Sequence, residues 1–397
     1  MRIGILDYRM DYYTVKRIIL NKVPGFDYVP VKDLYSISRR VALRFNRLFE
    51  KTLFSTFNLN NQFEDFDLNK VDVLHFSNGI SYGKTPWVSQ FETILPRFDY
   101  LLQRDKPVVV KNKRNQAMTQ RGLEALAGDA CKAIIALSEN AAKNQRNLLS
   151  EFSSEIAEAI LSKMIVLAPP QDALVDEVPV RTYSKENPIR FILVGAGFFR
   201  KGGREILNSF EKLVKEEELP IKLVLVSRLH RDYYAAHETE ADIAWAKEKI
   251  QTNSDWIEYY ETMPNQQVLE LLKACDVGLL PTYADTYGFS ALEAQSAACP
   301  VISTDVRALP EINNTEVGWL INVPKNELGE AYYQTPEDRQ VLSERIQSGL
   351  EHIIRGIVQE PTTIAKKGQA ALEKIKAQHD PVRYGEVLRE IYEKAVA

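Results

Sequence analysis

The chain has few cysteines, almost no excess charge and no long apolar run. Three cysteines in 397 residues, Cys131, Cys275 and Cys299, are too few and too widely spaced for a disulfide framework or a zinc site. Each lies in an apolar helical or strand context, which predicts buried thiols. Lys and Arg number 50 against 54 Asp and Glu, a formal net charge of −4, so the basic footprint of a nucleic-acid partner is missing. No stretch approaches the roughly 18 apolar residues of a membrane-spanning helix. The apolar run within Met1–Asp7 is too short for a signal peptide. A cytoplasmic protein is therefore expected, with peripheral contact at the inner membrane face left open. There is no internal repeat, no low-complexity tract and no cluster of metal-ligating residues, so neither a metal nor a resident cofactor is expected. At 45% hydrophobic, the chain is long enough for two domains of ordinary size.

Short apolar runs alternate with helical patterns throughout. Candidate strands are Ile3–Leu6, Val73–Phe76, Val108–Val110, Ala133–Leu137 and Met164–Leu167, then Phe191–Val194, Leu223–Val226, Val277–Leu280 and Val301–Ser303. Such alternation predicts an α/β protein with parallel sheets. Residues 171–188 are rich in proline and charge and read as a linker. That divides the chain into domains at 1–170 and 189–377, followed by a terminal segment at about 378–397 that carries an amphipathic helix, roughly Pro381 to Val396.

The most informative segment is Asp285-Thr286-Tyr287-Gly288-Phe289-Ser290-Ala291-Leu292-Glu293. It follows the strand Val277–Leu280 and precedes a helix, Ala291–Ala298, and another strand. In an open α/β sheet, ligands bind at that end of the strands. A helix N-terminus there offers unpaired N–H groups and partial positive charge to a phosphate. Each carboxylate also has a plainer reading. Ser290 and Glu293 have the spacing of a capping box, and Asp285 could be a solvated turn residue.

From Trp256 to Leu320 the sequence resembles the nucleotide-binding half of retaining glycosyltransferases of the GT-B fold, in particular family 4. The resemblance rests on Trp256-Ile257-Glu258-Tyr259-Tyr260, the helix Val268–Asp276, Pro281-Thr282, the acids Asp285 and Glu293, Cys299-Pro300-Val301-Ile302-Ser303-Thr304-Asp305 and Leu309-Pro310-Glu311-Ile312. Asp285 stands where the family usually has Glu, which shortens its reach by one methylene. The resemblance implies two Rossmann-like domains with parallel sheets facing across a cleft. The acceptor would bind the N-terminal domain and the nucleotide-sugar donor the C-terminal one. The terminal helix would cross back onto the N-terminal domain. Glu293 would hold the ribose hydroxyls and Asp285 the transferred sugar. Gly288, Phe289, Ser290 and Leu292 would border the phosphates or sugar. A UDP-hexose, UDP-glucose foremost, is the implied donor, and a saccharide or lipid-linked saccharide the implied acceptor.

Upstream, Gly195-Ala196-Gly197-Phe198-Phe199-Arg200-Lys201-Gly202-Gly203 follows the strand Phe191–Val194 and leads into a helix at Glu205–Lys215. As a dinucleotide fingerprint it is incomplete. Arg200 replaces the third glycine, and the next strand ends at Ser227-Arg228 with no acid. An NADP-dependent oxidoreductase would need Arg228 to read a 2′-phosphate. As a glycosyltransferase loop, Arg200-Lys201-Gly202 resembles the family's diphosphate grip, although Ala196 stands where relatives often carry Arg. Cations at a helix start oppose the helix dipole unless an anion is present.

The N-terminal half departs further from the family. Asp7-Tyr8-Arg9-Met10-Asp11 replaces the usual glycine-rich turn, and Lys111-Asn112-Lys113-Arg114 stands where many relatives carry a histidine. His75, Lys111 and Lys113 are the candidates for the acceptor side, although a lone histidine at a strand end such as His75 is more often structural. Residues 39–57 place Arg40, Arg44, Arg47 and Lys51 on one helical stripe, with Val41, Phe45, Leu48, Phe49 and Leu53 on the other side. This is the pattern of an interfacial helix, and also of an ordinary surface helix packed on a sheet. The reading that joins these features is a retaining hexosyltransferase of polysaccharide or glycolipid assembly. The altered N-terminal motifs leave a non-catalytic nucleotide-binding protein of the same fold as an alternative.

Overall fold

The computed structural model describes residues 1–51, 55–102, 112–231 and 233–397. It divides into two compact units, residues 1–170 with 381–397, and residues 171–380. Each is an α/β unit around one six-stranded parallel sheet.

In the first unit the strand order is Asp27–Val31, Arg2–Leu6, Val73–Ser77, Trp87–Phe91, Cys131–Ala136 and Met164–Val166. Two of these strands are not apparent from apolar runs. Asp27–Val31 contains Pro30 and lies at the sheet edge, where a missing N–H is tolerated. Trp87–Phe91 is interrupted by Ser89 and Gln90, yet all five of its residues are buried. Trp87, Phe76, Phe63 and Phe91 fill the core, with the Phe63 and Phe76 rings 5.1 Å apart. The expected strand Val108–Val110 lies outside the described residues.

The helix Pro381–Val396 belongs to this unit. Tyr384 donates its hydroxyl to the Ile18 carbonyl at 2.8 Å and accepts from Gln90 Nε2 at 2.5 Å. Tyr392 meets His75 Nδ1 at 2.5 Å. The helix starts at Pro381 as expected, and residues up to Gln378 complete the preceding helix, Thr362–Gln378, of the second unit.

The basic amphipathic helix runs Leu34–Leu48, not 39–57. Asp33 caps it by accepting the Ser36 N–H at 2.9 Å. Glu50, with φ of 50°, lies in the left-handed region just past its end. Lys51 falls beyond the helix, and Leu53 lies outside the described residues. Only Ser36 and Ala42 are buried; Ile37, Val41, Phe45 and Leu48 are exposed, Leu48 by 74%.

In the second unit the order is Ile257–Tyr260, Ile221–Val226, Ile189–Val194, Val277–Leu280, Val301–Thr304 and Trp319–Ile321. The four inner strands are near-continuous apolar runs, as expected of a parallel sheet covered on both faces. Residues 171–188 are tied to this unit. Leu174 donates its N–H to the Ser296 carbonyl at 2.8 Å, and Arg181 pairs with Asp276 at 2.6 Å. Among the described residues, no helix is long and apolar enough to cross a membrane.

Candidate functional site

The second unit's first strand, Ile189–Val194, pairs on one side with Ile221–Val226 and on the other with Val277–Leu280. The chain reverses direction of progress across the sheet at that point, which opens a crevice at the carboxyl ends of the strands. Two loops border it, one through Gly195, Gly197, Arg200 and Lys201, the other through Pro281 to Gly288. They are stitched together. Tyr283 N–H and Thr282 Oγ1 donate to the Arg200 carbonyl at 2.9 and 3.0 Å. Arg200 Nη1 donates to the Ala284 carbonyl at 2.6 Å. Two glycines permit the approach. Gly202, at φ +81°, caps the helix Gly203–Lys215, and a Cβ there would sit 2.3 Å from the Pro281 carbonyl oxygen. Gly288, at φ +99°, caps the helix Phe289–Ser296, and its Cβ would meet Leu309 at 2.5 Å.

The arrangement brings Lys201 and Asp285 together. Lys201 Nζ lies 2.8 Å from Asp285 Oδ2, the side chains being 10% and 15% exposed. Burial pushes the Asp285 carboxyl up, but the Lys201 ammonium and then Arg200 and Arg307 outweigh it, holding the group below its ordinary 3.8. Asp285 is thus a charged ion-pair partner, not a solvated turn residue. Arg307 itself is buried, bound through two nitrogens to Glu330 and to the Tyr234 hydroxyl.

Glu293 is 6% exposed, and Asn265 Nδ2 donates to its Oε1 at 3.4 Å. The capping-box reading fails. The helix begins at Phe289 after Gly288, so Ser290 is its second residue and Glu293 its fifth. Ser290 Oγ is buried without a hydrogen-bond partner among the described residues. Leu292 is fully buried beneath this turn.

The acceptor-side candidates do not form a comparable group. His75 is 1% exposed and engaged by Tyr392, and burial pulls its imidazole down from 6.5 to about 3. Its place in the structure is a core one, bracing the terminal helix. Lys113 is exposed at the start of the helix Lys113–Ala127, and Lys111 lies outside the described residues. Sequence reasoning overlooked Glu205, Tyr283 and Arg307. Glu205 and Tyr283 are joined at 2.9 Å across 78 residues of sequence. Arg307 sits at φ 48°, an uncommon backbone conformation for a non-glycine residue that is seen in the fold and not in the sequence.

A two-unit α/β chain with a basic loop and paired acid at this crevice has the GT-B fold of glycosyltransferases. Residues 176–347 match the family described as Glycosyl transferases group 1, so the second unit carries a glycosyltransferase domain of that family. Over 113 residues the chain is 27% identical to O-antigen chain mannosyltransferase B of Escherichia coli, a match spanning 28% of this chain and 28% of that protein. Among solved structures, a glycosyltransferase of Rickettsia africae superposes with a TM-score of 0.59 at 12% identity, covering 100% of this chain and 98% of that one. HepE of Anabaena, in complex with UDP and glucose, gives 0.57 at 12% identity over 99% of both chains. WaaG, a glycosyltransferase involved in lipopolysaccharide biosynthesis, gives 0.54 at 15% identity over 99% of both. The dinucleotide reading of Gly195-x-Gly197 falls away with the family match, and Arg228 is an exposed residue past the neighbouring strand.

Proposed function

We propose that this protein is a retaining glycosyltransferase that moves a hexose from a nucleoside diphosphate sugar to a saccharide or lipid-linked saccharide. The observation that carries the reading is the Lys201–Asp285 pair beside Arg200 at the switch point of a glycosyl transferases group 1 domain. Lys201 and Arg200 supply the charge that a leaving diphosphate needs, in a partly dehydrated site where it is most effective. The bond between the anomeric carbon and the diphosphate oxygen breaks, and the acceptor oxygen bonds to that carbon. The acceptor's hydroxyl proton passes to the leaving phosphate. Glu293 binds the ribose, Asp285 meets the sugar, and no metal or cofactor takes part. UDP-glucose is the first donor to test. The Escherichia coli relative makes a mannosyl donor the second.

We further propose that the first unit meets an anionic lipid surface on the cytoplasmic side, through the helix Leu34–Leu48. Exposed Arg40, Arg44 and Arg47 match such a surface in charge. The apolar side of the same helix lines a groove of about 1070 Å³ with Ile37, Val41 and Phe45.

The test is calorimetry with UDP and GDP, then turnover of UDP-glucose and GDP-mannose, for wild type, Lys201→Ala and Glu293→Gln. One nucleotide should bind wild type and lose about 1–3 kcal/mol in Lys201→Ala, the worth of a charge-assisted hydrogen bond. Glu293→Gln should weaken nucleotide and nucleotide sugar alike. Unchanged affinity in both variants would remove these residues from the donor site.

A further inference from the structure

The segment Thr282–Asp285 is also fastened from beneath. Asp285 turns toward Lys201, whereas Tyr283, two residues earlier, is 5% exposed and turns into the core. Its hydroxyl donates to Glu205 Oε1 at 2.9 Å, and Ser343 Oγ donates to the same oxygen at 2.6 Å. Glu205 is 1% exposed, in the first turn of the helix Gly203–Lys215, while Ser343 belongs to the helix Pro336–Gln359. The second carboxyl oxygen, Oε2, is buried with no hydrogen-bond partner among the described residues.

This is a costly group to bury. Burial pushes the Glu205 carboxyl up, against the Ser343 and Tyr283 hydroxyls and the Arg204 guanidinium, which pull it down. An apolar side chain would avoid the desolvation penalty. What the carboxyl adds is direction, since it fixes the Tyr283 ring and the backbone that carries it. That same backbone donates from Tyr283 N–H to the Arg200 carbonyl at 2.9 Å, one residue from Lys201. A shift at Tyr283 therefore moves both partners of the Lys201–Asp285 pair.

We propose that Glu205 is a positioning residue of the donor site: acting through the Tyr283 hydroxyl, it sets the Thr282–Asp285 backbone and with it the Lys201–Asp285 pair. This rests on the donor-site reading above. Neither Glu205 nor Tyr283 belongs to the motifs that carried the family resemblance.

The test is a double-mutant cycle on UDP and GDP affinity, read by calorimetry. Its corners are wild type, Tyr283→Phe, Asp285→Asn and the double variant. Tyr283→Phe deletes one hydroxyl and keeps the ring. With Asp285 less firmly held, Lys201 becomes more available to the diphosphate, and affinity should rise about fivefold, the worth of one hydrogen bond. In the Asp285→Asn background the same substitution should change nothing. Glu205→Gln keeps an acceptor for Tyr283 and should stay near wild type. Glu205→Leu should behave as Tyr283→Phe; if it does not fold, the Tyr283 cycle alone decides. An equal effect of Tyr283→Phe in both backgrounds, or no effect in either, would overturn the proposal and leave Glu205 as a strut. Wild type that binds neither nucleotide would instead overturn the donor-site reading itself.

Discussion

Replacing Asp285 by Asn should destabilise the free protein and tighten its hold on UDP, two effects that pull in opposite directions. The reason is the 2.8 Å contact with Lys201 between side chains only 10% and 15% exposed. At an effective dielectric of about 20, unit charges about 4 Å apart attract by about 4 kcal/mol. Deleting one partner of a buried pair costs about 3–5 kcal/mol, because the other charge is left uncompensated. This pair keeps some solvent, so a loss of about 2–3 kcal/mol is expected. For a unit of this size that lowers Tm by roughly 5–10 °C. In wild type an incoming diphosphate must draw Lys201 away from Asp285 and tolerate a carboxylate nearby. In Asp285→Asn both penalties disappear, and UDP should bind about tenfold more tightly. Asp285→Glu keeps the charge and should not show this gain.

The assay is a thermal melt without nucleotide, paired with calorimetry on UDP, for all three proteins. The pH dependence adds a sign. Burial raises the Asp285 carboxyl and Lys201 lowers it further, so its folded value lies below the ordinary 3.8. Its stabilising contribution is then complete above the unfolded value and fades as pH falls through the folded one. The Tm gap between wild type and Asp285→Asn should stay constant down to about pH 3.8 and close only below it. Weaker UDP binding in Asp285→Asn, with Tm unchanged, would refute the reasoning. It would mean that the carboxylate orients Lys201 for the diphosphate instead of competing with it.

Two further outcomes follow from the first unit. The His75 imidazole is pulled from 6.5 down to about 3 by burial, so the unfolded chain takes up a proton between those values that the folded one refuses. Stability should therefore fall with decreasing pH across that window, by up to about 1.4 kcal/mol per pH unit. Urea melts of His75→Gln should lack this component; an unchanged slope would assign it elsewhere. The exposed helix Leu34–Leu48 should carry the protein to anionic liposomes in flotation at low salt and release it at high salt. An Arg40/Arg44/Arg47→Glu variant that floats as well as wild type would make the helix an ordinary surface element.

The second unit is the more legible in sequence because its inner strands are buried on both faces. Val277–Leu280 and Val301–Thr304 announce themselves as apolar runs bounded by proline or polar residues. Trp87–Phe91 does not, since Ser89 and Gln90 interrupt the run, and Gln90 is buried only because Tyr384 of the terminal helix accepts its amide. Such a strand is specified by a partner nearly 300 residues away, which no local pattern records. The capping box misled for a related reason. Ser290 and Glu293 have the right spacing, but a left-handed Gly288 starts the helix two residues earlier and turns the cap into an interior position.

At the site itself, the charged residues could be picked out singly but not in pairs. In sequence Lys201 and Asp285 each read as a ligand group, one for phosphate and one for sugar. That they hold each other depends on Leu193 pairing with Leu279, which sets two loops side by side across 84 residues of sequence. Strand order is decided by which crossovers pack, not by anything written next to either residue. A one-methylene change from Glu to Asp therefore reads as a shorter reach in sequence, whereas in the fold it is a question of which cation the carboxylate meets. For the same reason Glu205 was invisible. A carboxylate in the first helical turn after a basic loop looks like a solvated helix residue until the hydroxyls of Tyr283 and Ser343 are found on one of its oxygens.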